Sequence, residues 1–385
     1  MVSRADRSRF AEWFWTVDHY LLAAFGILMI GGVVLSFAAS PPVAERLGLD
    51  SFYFVQRQAL FLIPAMGIVL AGSLMTPRMV RRAALIVFVL SILLMILTLF
   101  IGLEAKGARR WVYIAGFSLQ PSEFLKPAFV ILIAFLLSES GRRSEVPGVL
   151  FSFVLFAICA VLLIVQPDFG QTMLLGMVWA GLFFLNGISW LIIMALGIVG
   201  IAGLFAAYAF LPHVTNRVDR FLDPSSGDTY QIDTAMESFL AGGWFGRGPG
   251  EGTVKRILPD SHTDFIFAVL GEEFGVVACL LLVIVFAFIV IRGLQHAGRD
   301  QDAFGRLATA GLVVLFGLQA TINLAVNLHL IPSKGMTLPF ISYGGSSLLS
   351  SAMTAGAILA LTRRRPRPRS RNAVTVSRLS PSSRM

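Results

Sequence analysis

Ten long apolar runs dominate the 385-residue chain, and nothing else in the sequence restricts its fold as tightly. They lie at roughly 18–39, 53–74, 83–102, 122–139, 148–165, 169–186, 190–211, 265–291, 306–328 and 343–362, each near the length of a membrane-spanning helix. The runs are about twice the length of a barrel strand and do not alternate, which excludes a β-barrel. Hydrophobic residues make up 56% of the chain and charged residues only 14%, against about a quarter charged in soluble domains. That balance excludes a soluble globule, a disordered chain and a basic nucleic-acid-binding protein, and two cysteines exclude a disulfide scaffold. The expected fold class is all-α, a polytopic membrane protein of about ten transmembrane helices. Arg4, Arg7 and Arg9 precede the first run in the manner of a signal peptide. Its apolar stretch exceeds a signal core, so a retained helix is expected.

Charge orients the frame. With both termini cytoplasmic, nineteen of the 31 basic residues fall on the cytoplasmic side, eight of them from Arg363 onward. Such an excess marks the inner face, and an even number of spans follows. The expected organisation is a cytoplasmic N-terminal tail over 1–17, a membrane domain over 18–362 and a basic, disordered cytoplasmic tail over 363–385. That tail suits anionic lipids or a cytoplasmic partner, and equally a stop-transfer charge block.

Two outer segments break the pattern of tight connections. One runs from Glu104 to Lys126. The other, 212–264, is a large extracytoplasmic loop between helices 7 and 8, with aromatic and aliphatic residues throughout, as in an ordered surface element. Lys106, Arg109, Arg110, Lys126, Arg217, Arg220, Arg247, Lys255 and Arg256 lie in these segments or at their edges. Guanidinium and ammonium groups bind phosphate oxygens well, so the cluster suits an anionic substrate; ordinary loop charges paired with nearby acids are the plainer account.

Individual residues sharpen this picture. Pro121 and Glu123 read as a helix start, and Glu123 and Lys126 share a face three residues apart, either as a structural ion pair or lining a polar cavity. The cavity is the favoured reading for ionisable groups at membrane depth. Asp168, in Gln166-Pro167-Asp168, can cap the helix that follows and still serve a site. The run from Leu258 to Phe267 ends the long loop, placing His262 and Asp264 at the outer interface, where desolvation suits a carboxylate to general-base work. Glu272 and Glu273 follow inside the span and read first as buried acids with a partner. Gly271 and Gly275 form a small-residue face open to a neighbouring helix. In the last outer turn, the amides and hydroxyls around Ser342, Gly344 and Gly345, with Lys334, can cradle an anion. Cys159 and Cys279 sit inside apolar runs as packing residues.

These motifs together resemble the SEDS (shape, elongation, division, sporulation) family. Lys106-Gly107-x-x-Arg110-Trp111, Gln120-Pro121-Ser122-Glu123, Gln166-Pro167-Asp168, His262-Thr263-Asp264-Phe265-Ile266-Phe267 and the stretch Lys334-Gly335-x-Thr337-Leu338-Pro339 through Ser342-Tyr343-Gly344-Gly345-Ser346-Ser347 occur in the family's order and spacing. The wording from Lys334 to Ile341 is nearer its division branch than its elongation branch. Asp228-Thr229-Tyr230-Gln231 and Glu237-Ser238 depart from the commoner loop pattern.

The resemblance implies an inner-membrane peptidoglycan glycosyltransferase at the division septum, polymerising lipid II at the outer face of the membrane. Its implied partners are a class B penicillin-binding protein (an FtsI-like transpeptidase), other division proteins and membrane lipids. By motif, Asp264 is the catalytic base, and Arg110, Trp111, Glu123, Lys126 and Asp168 match positions tied to the site or its integrity. Diphosphate is a good leaving group, so charge stabilisation matters more than a second acid. Arg109, Arg110, Lys126 or Lys334 can supply it, with or without a divalent cation, Mg or Mn. No organic cofactor is expected. A lipid II flippase and a non-catalytic division scaffold are the alternative readings, and the outward clustering of polar residues favours polymerisation over a flippase.

Overall fold

Each of the ten apolar runs is a helix in the computed structural model, which describes residues 8–105, 108–114, 116–143, 145–223, 229–332 and 335–363. In chain order, a short α1 (Arg9–Thr16) precedes α2 (His19–Arg46), α3 (Tyr53–Leu74) and α4 (Pro77–Ile101). Three strands follow, β1 (Leu103–Ala105), β2 (Ala108–Ile114) and β3 (Phe117–Leu119). After them come α5 (Pro121–Arg142), α6 (Gly148–Val165), α7 (Phe169–Leu185) and α8 (Trp190–Phe210). The long outer segment forms α9 (Pro212–Leu222), α10 (Tyr230–Gly242) and a 3-10 turn at Val254–Arg256. The chain returns through α11 (Ile266–Arg299), α12 (Ala303–Asn327) and α13 (Gly345–Thr362). Among the described residues nine helices are long and apolar enough to cross a membrane, and α7, with 17 residues, is shorter.

Local chemistry sets the boundaries. Asp18 starts α2 by accepting the amides of Tyr20 and Leu21, both at 3.0 Å. Thr76 caps α4 just before Pro77, and Asp302 caps α12 through Gly305 N. Pro121 occupies the first turn of α5, where a missing amide hydrogen costs nothing. At the foot of α2, the Asp18 carboxylate meets Arg292 and His296 of α11. Burial alone raises its proton affinity, but hydrogen bonds from Arg292, Leu21 and His296 and the Arg292 charge outweigh that and hold it below the usual carboxylate range.

The bundle is layered by burial. α13 is enclosed most completely, with α5 and α12 beside it, whereas only 6% of the apolar stretch of α8 is covered by protein. A helix that bare suits lipid contact on nearly all sides. α13 lies along α3, α4 along α5, and α11 between α12 and α10. Cys159 and Cys279 are free and buried, as packing residues.

The outer segments are ordered, and the first contains structure that periodicity does not indicate. β1, β2 and β3 form an antiparallel sheet in that order, with Glu104 opposite Arg109 and a register shift between Leu103 and Glu104. In the second, the chain beyond α10 turns against α11. The amides of Arg247 and Gly248 donate to the carbonyls of Glu272 and Glu273, and those of Val276 and Val277 to Gly243 and Trp244. Gly275 breaks the helical path there with φ 78°. A Cβ on Gly246 would stand 2.1 Å from the Glu273 carbonyl oxygen. The small-residue face of α11 thus admits a neighbouring segment, the expected role for Gly271 and Gly275.

Candidate functional site

Asp264 sits half-buried in the turn that opens α11, and its backbone is held from three sides. Its amide donates to the Asp260 carbonyl at 3.1 Å. Its own carbonyl accepts the side-chain amides of Asn323 at 3.0 Å and Asn327 at 2.8 Å. From the last outer turn, Ser342 donates to the Thr263 carbonyl at 2.5 Å and accepts Leu338 N at 2.8 Å. Tyr343 N donates to the His262 carbonyl at 2.9 Å. The buried His262 ring lies against Phe54 and Tyr343, with centroids 4.7 and 5.4 Å away. Gly335 is close enough to the Asp264 carboxylate that a Cβ there would come within 3.2 Å of Oδ2. The loop and turn therefore fix the backbone of Asp264, and the residue stays half-buried.

A second polar group is built around Asp168. Arg110, on β2, donates through Nε to the Gln166 carbonyl at 2.7 Å and through Nη2 to that of Pro167. Its Nη1 lies 3.5 Å from the Asp168 carboxylate. Asp168 also caps α7 through Gln171 N. Burial pushes its carboxyl above the ordinary range, and the Arg110 charge opposes that. Gln171 Nε2 donates to Glu123 at 3.1 Å, and Lys126 donates to the same carboxylate at 2.9 Å. Glu123 and Lys126 are 5% and 2% exposed, so they form a closed, buried ion pair instead of lining a cavity. Packing of α5 against α12 and α13 fills the space that the sequence left open.

The two groups are linked by α12. Gln319 accepts from Lys126 at 3.0 Å and donates to the Thr337 carbonyl at 3.2 Å. Asn323 donates to the Met336 carbonyl at 2.6 Å as well as to Asp264. Gln319, Asn323 and Asn327 were missed by the sequence reading. Their four-residue spacing, one amide per turn on an apolar helix, is the signal that marks them.

Arg217, on α9, interacts electrostatically with Arg110, Asp168 and Asp264. Desolvation pushes its guanidinium below the ordinary arginine value, with Arg110 acting the same way and the two carboxylates opposing. Arg217 is exposed on α9, so its charge acts on both groups through space. Arg109 points elsewhere, in an exposed ion pair with Glu104 at 3.5 Å. Trp111 is half-buried on β2. Gly344 precedes the first turn of α13, and a Cβ on Gly345 would meet the Phe61 ring at 2.7 Å, which gives Gly345 a packing role. Lys106 and Lys334 lie outside the described residues.

Glu272 and Glu273 have the structural partners expected of buried acids. Glu272 accepts the amides of Thr253, Val254 and Lys255 at 2.6–2.8 Å, and Glu273 pairs with Lys255. Among the described residues no three His, Cys, Asp or Glu side chains converge as a metal site. Arg110 lies beside Asp168, and Arg217 interacts electrostatically with both Asp168 and Asp264, a donor set unsuited to a cation held by protein alone.

A family model described as "cell cycle protein", covering FtsW, RodA and SpoVE, matches residues 18–366. The probable peptidoglycan glycosyltransferase FtsW of Caulobacter vibrioides (strain NA1000 / CB15N) is 48% identical over 367 residues, 94% of each chain. That of Trichlorobacter lovleyi is 36% identical, over 89% of this chain and 92% of its own. Among solved structures, a chain of a peptidoglycan synthase complex that coordinates polymerization and crosslinking superposes with a TM-score of 0.74. It shares 26% identity and covers 90% of this chain and 97% of its own. The rod shape determining protein RodA of Thermus thermophilus gives 0.66 at 25% identity, over 90% of this chain and 96% of its own.

Proposed function

The chain belongs to the FtsW/RodA/SpoVE family of cell cycle proteins, and from that premise we propose that it is a peptidoglycan glycosyltransferase that polymerises lipid II. One observation carries the chemistry: the half-buried Asp264, whose backbone is clamped by α12 amides and whose carboxylate interacts electrostatically with Arg217. Asp264 takes the proton from the acceptor sugar's 4-hydroxyl as that oxygen attacks the donor's anomeric carbon. The new C–O bond forms as the bond to the diphosphate breaks, inverting the anomeric centre and releasing undecaprenyl diphosphate. Arg217 and Arg110 are suited to the negative charge that grows on the leaving group. Arg110 also holds the 166–168 turn, so its role is partly to position that segment.

The similarity to a chain of a peptidoglycan synthase complex supports a class B penicillin-binding protein as partner. On this reading the multi-pass bundle lies in the inner membrane at the septum, with the Asp264 end outward and both termini cytoplasmic. The deciding experiment reconstitutes the full chain and its transpeptidase partner with labelled lipid II, and scores glycan polymer and transbilayer movement in the same vesicles. Wild type is expected to give polymer and Asp264→Asn none, at an unchanged melting temperature. Full polymerisation by Asp264→Asn overturns the assignment, and lipid movement without polymer overturns the reaction class.

A further inference from the structure

A cavity of about 510 Å³ opens at the end of the bundle opposite Asp264, where α4 begins, α5 ends and α12 begins. Arg78, Arg81 and Arg142 line it, against one lining carboxylate, Asp302. Arg142 is held by Asp302 and, at 3.7 Å, by Glu139. That leaves Arg78 and Arg81 without a carboxylate ion pair among the described residues. The Arg81 guanidinium lies in the corner of two rings set edge to face, 4.8 Å from the Phe135 centroid and 5.1 Å from that of Phe304. Such cation–π contacts restrain the group, so less rotamer freedom is lost on binding an oxyanion. The first turn of α4, capped by Thr76, adds partial positive charge at the same place.

A topogenic charge row needs basic residues but neither a concave site nor a guanidinium held against aromatic rings. We propose that this cavity binds the phosphate of an anionic phospholipid headgroup. The apolar half of such a ligand has a place as well. Arg78, Leu85 and Val89 are seven and eleven residues apart on one face of α4, and Leu85 and Val89 are exposed at 53% and 47%. An acyl chain attached to a phosphate in the cavity can run along that stripe. The leaflet concerned is the cytoplasmic one, which rests on the proposed topology; the site itself does not.

The test uses the delipidated full chain in detergent, titrated with phosphatidylglycerol or phosphatidylcholine of identical acyl chains and read by native mass spectrometry. Wild type is expected to retain phosphatidylglycerol preferentially. Arg78→Gln is expected to weaken that retention about fivefold, and Arg78→Gln with Arg81→Gln further, at about one such step per surface cation removed. Arg81→Lys, which keeps the charge, guards against loss by misfolding and is expected to retain phosphatidylglycerol more tightly than Arg78→Gln. Arg299→Gln removes an exposed cation at the same end but outside the cavity, and is expected to have no effect. Equal retention of both lipids, or equal losses in the Arg78 and Arg299 variants, overturns the proposal. Full displacement of phosphatidylglycerol by millimolar inorganic phosphate also does, because the ligand is then a free anion. Both lipid-facing ends of the protein are accessible in detergent, so a wrong topology leaves these outcomes unchanged.

Discussion

At the scale of single residues, the site depends on neutral amides as much as on charge. Asn323 is 1% exposed and serves two carbonyls, those of Asp264 and Met336, so one side chain joins the Asp264 turn to the last outer turn. Replacing it with Leu leaves buried acceptors short of donors, at a cost of about 1–3 kcal/mol. We expect Asn323→Leu to lower kcat at least about tenfold through misplacement of Asp264, with the KM for lipid II little changed. Steady-state polymerisation by detergent-solubilised protein measures both, and a rise in KM at constant kcat contradicts a positioning role. Asp264, Asp168, Glu123 and Lys126 were legible in the sequence because an ionisable group beside an apolar run stands out against it. Asn323 and Asn327 were not, because neutral amides barely disturb a span whose mean hydropathy is 1.7. The closed state of the Glu123–Lys126 pair was also out of reach. It depends on Gln171 and Gln319, which lie 48 and 193 residues from the groups they contact.

At the scale of elements, helices and connections differ in what their sequences disclose. The spans are set by runs of adjacent residues and their ends by caps, which are local signals. The three-stranded sheet forms from strands of three to seven residues whose pairing supplies most of their stability, so no residue pattern announces it. The segment after α10 carries many glycines, yet the sequence does not separate those pressed against a neighbour from those in open turns. Gly246 has φ 81° and no room beyond its Cα, whereas Gly250 has φ 85° and open space around it. Gly250→Ala is expected to cost only the left-handed strain, about 1 kcal/mol. Gly246→Ala adds a backbone clash against α11, for a total of about 3 kcal/mol or more. Thermal unfolding of the purified variants separates the two, and similar melting temperatures contradict the contact.

At the scale of the whole molecule, the ten-helix frame was the most legible feature, since span length is set by bilayer thickness and little else. The extent of protein cover on each helix was less so: the serines and threonines of α13 set it apart from the more apolar α8, but only the packing shows how completely α13 is enclosed. The frame gives a direct test of the proposed topology. Cys159 and Cys279 are buried, so single cysteines introduced at Glu251 and Gly298, both exposed, report without background. A membrane-impermeant maleimide applied to intact spheroplasts is expected to label Glu251→Cys and not Gly298→Cys. The reverse result inverts the bundle.

The break at Gly275 also fixes an elevation. With its 34 residues, α11 would be about 51 Å long as an unbroken helix, far more than a hydrocarbon layer of about 30 Å requires. The portion after Gly275, Val276–Arg299, is about 36 Å long by the same rise, but its apolar part up to Ile291 accounts for only about 24 Å of that layer. The portion before Gly275 completes the crossing and carries Asp264 at its outer end. A substrate tethered by its lipid keeps its diphosphate at the bilayer surface and its sugars above. On the proposed reaction, the length of Ile266–Phe274 sets the height of Asp264 above the Gly275 break and works as a ruler between the membrane plane and the growing glycan.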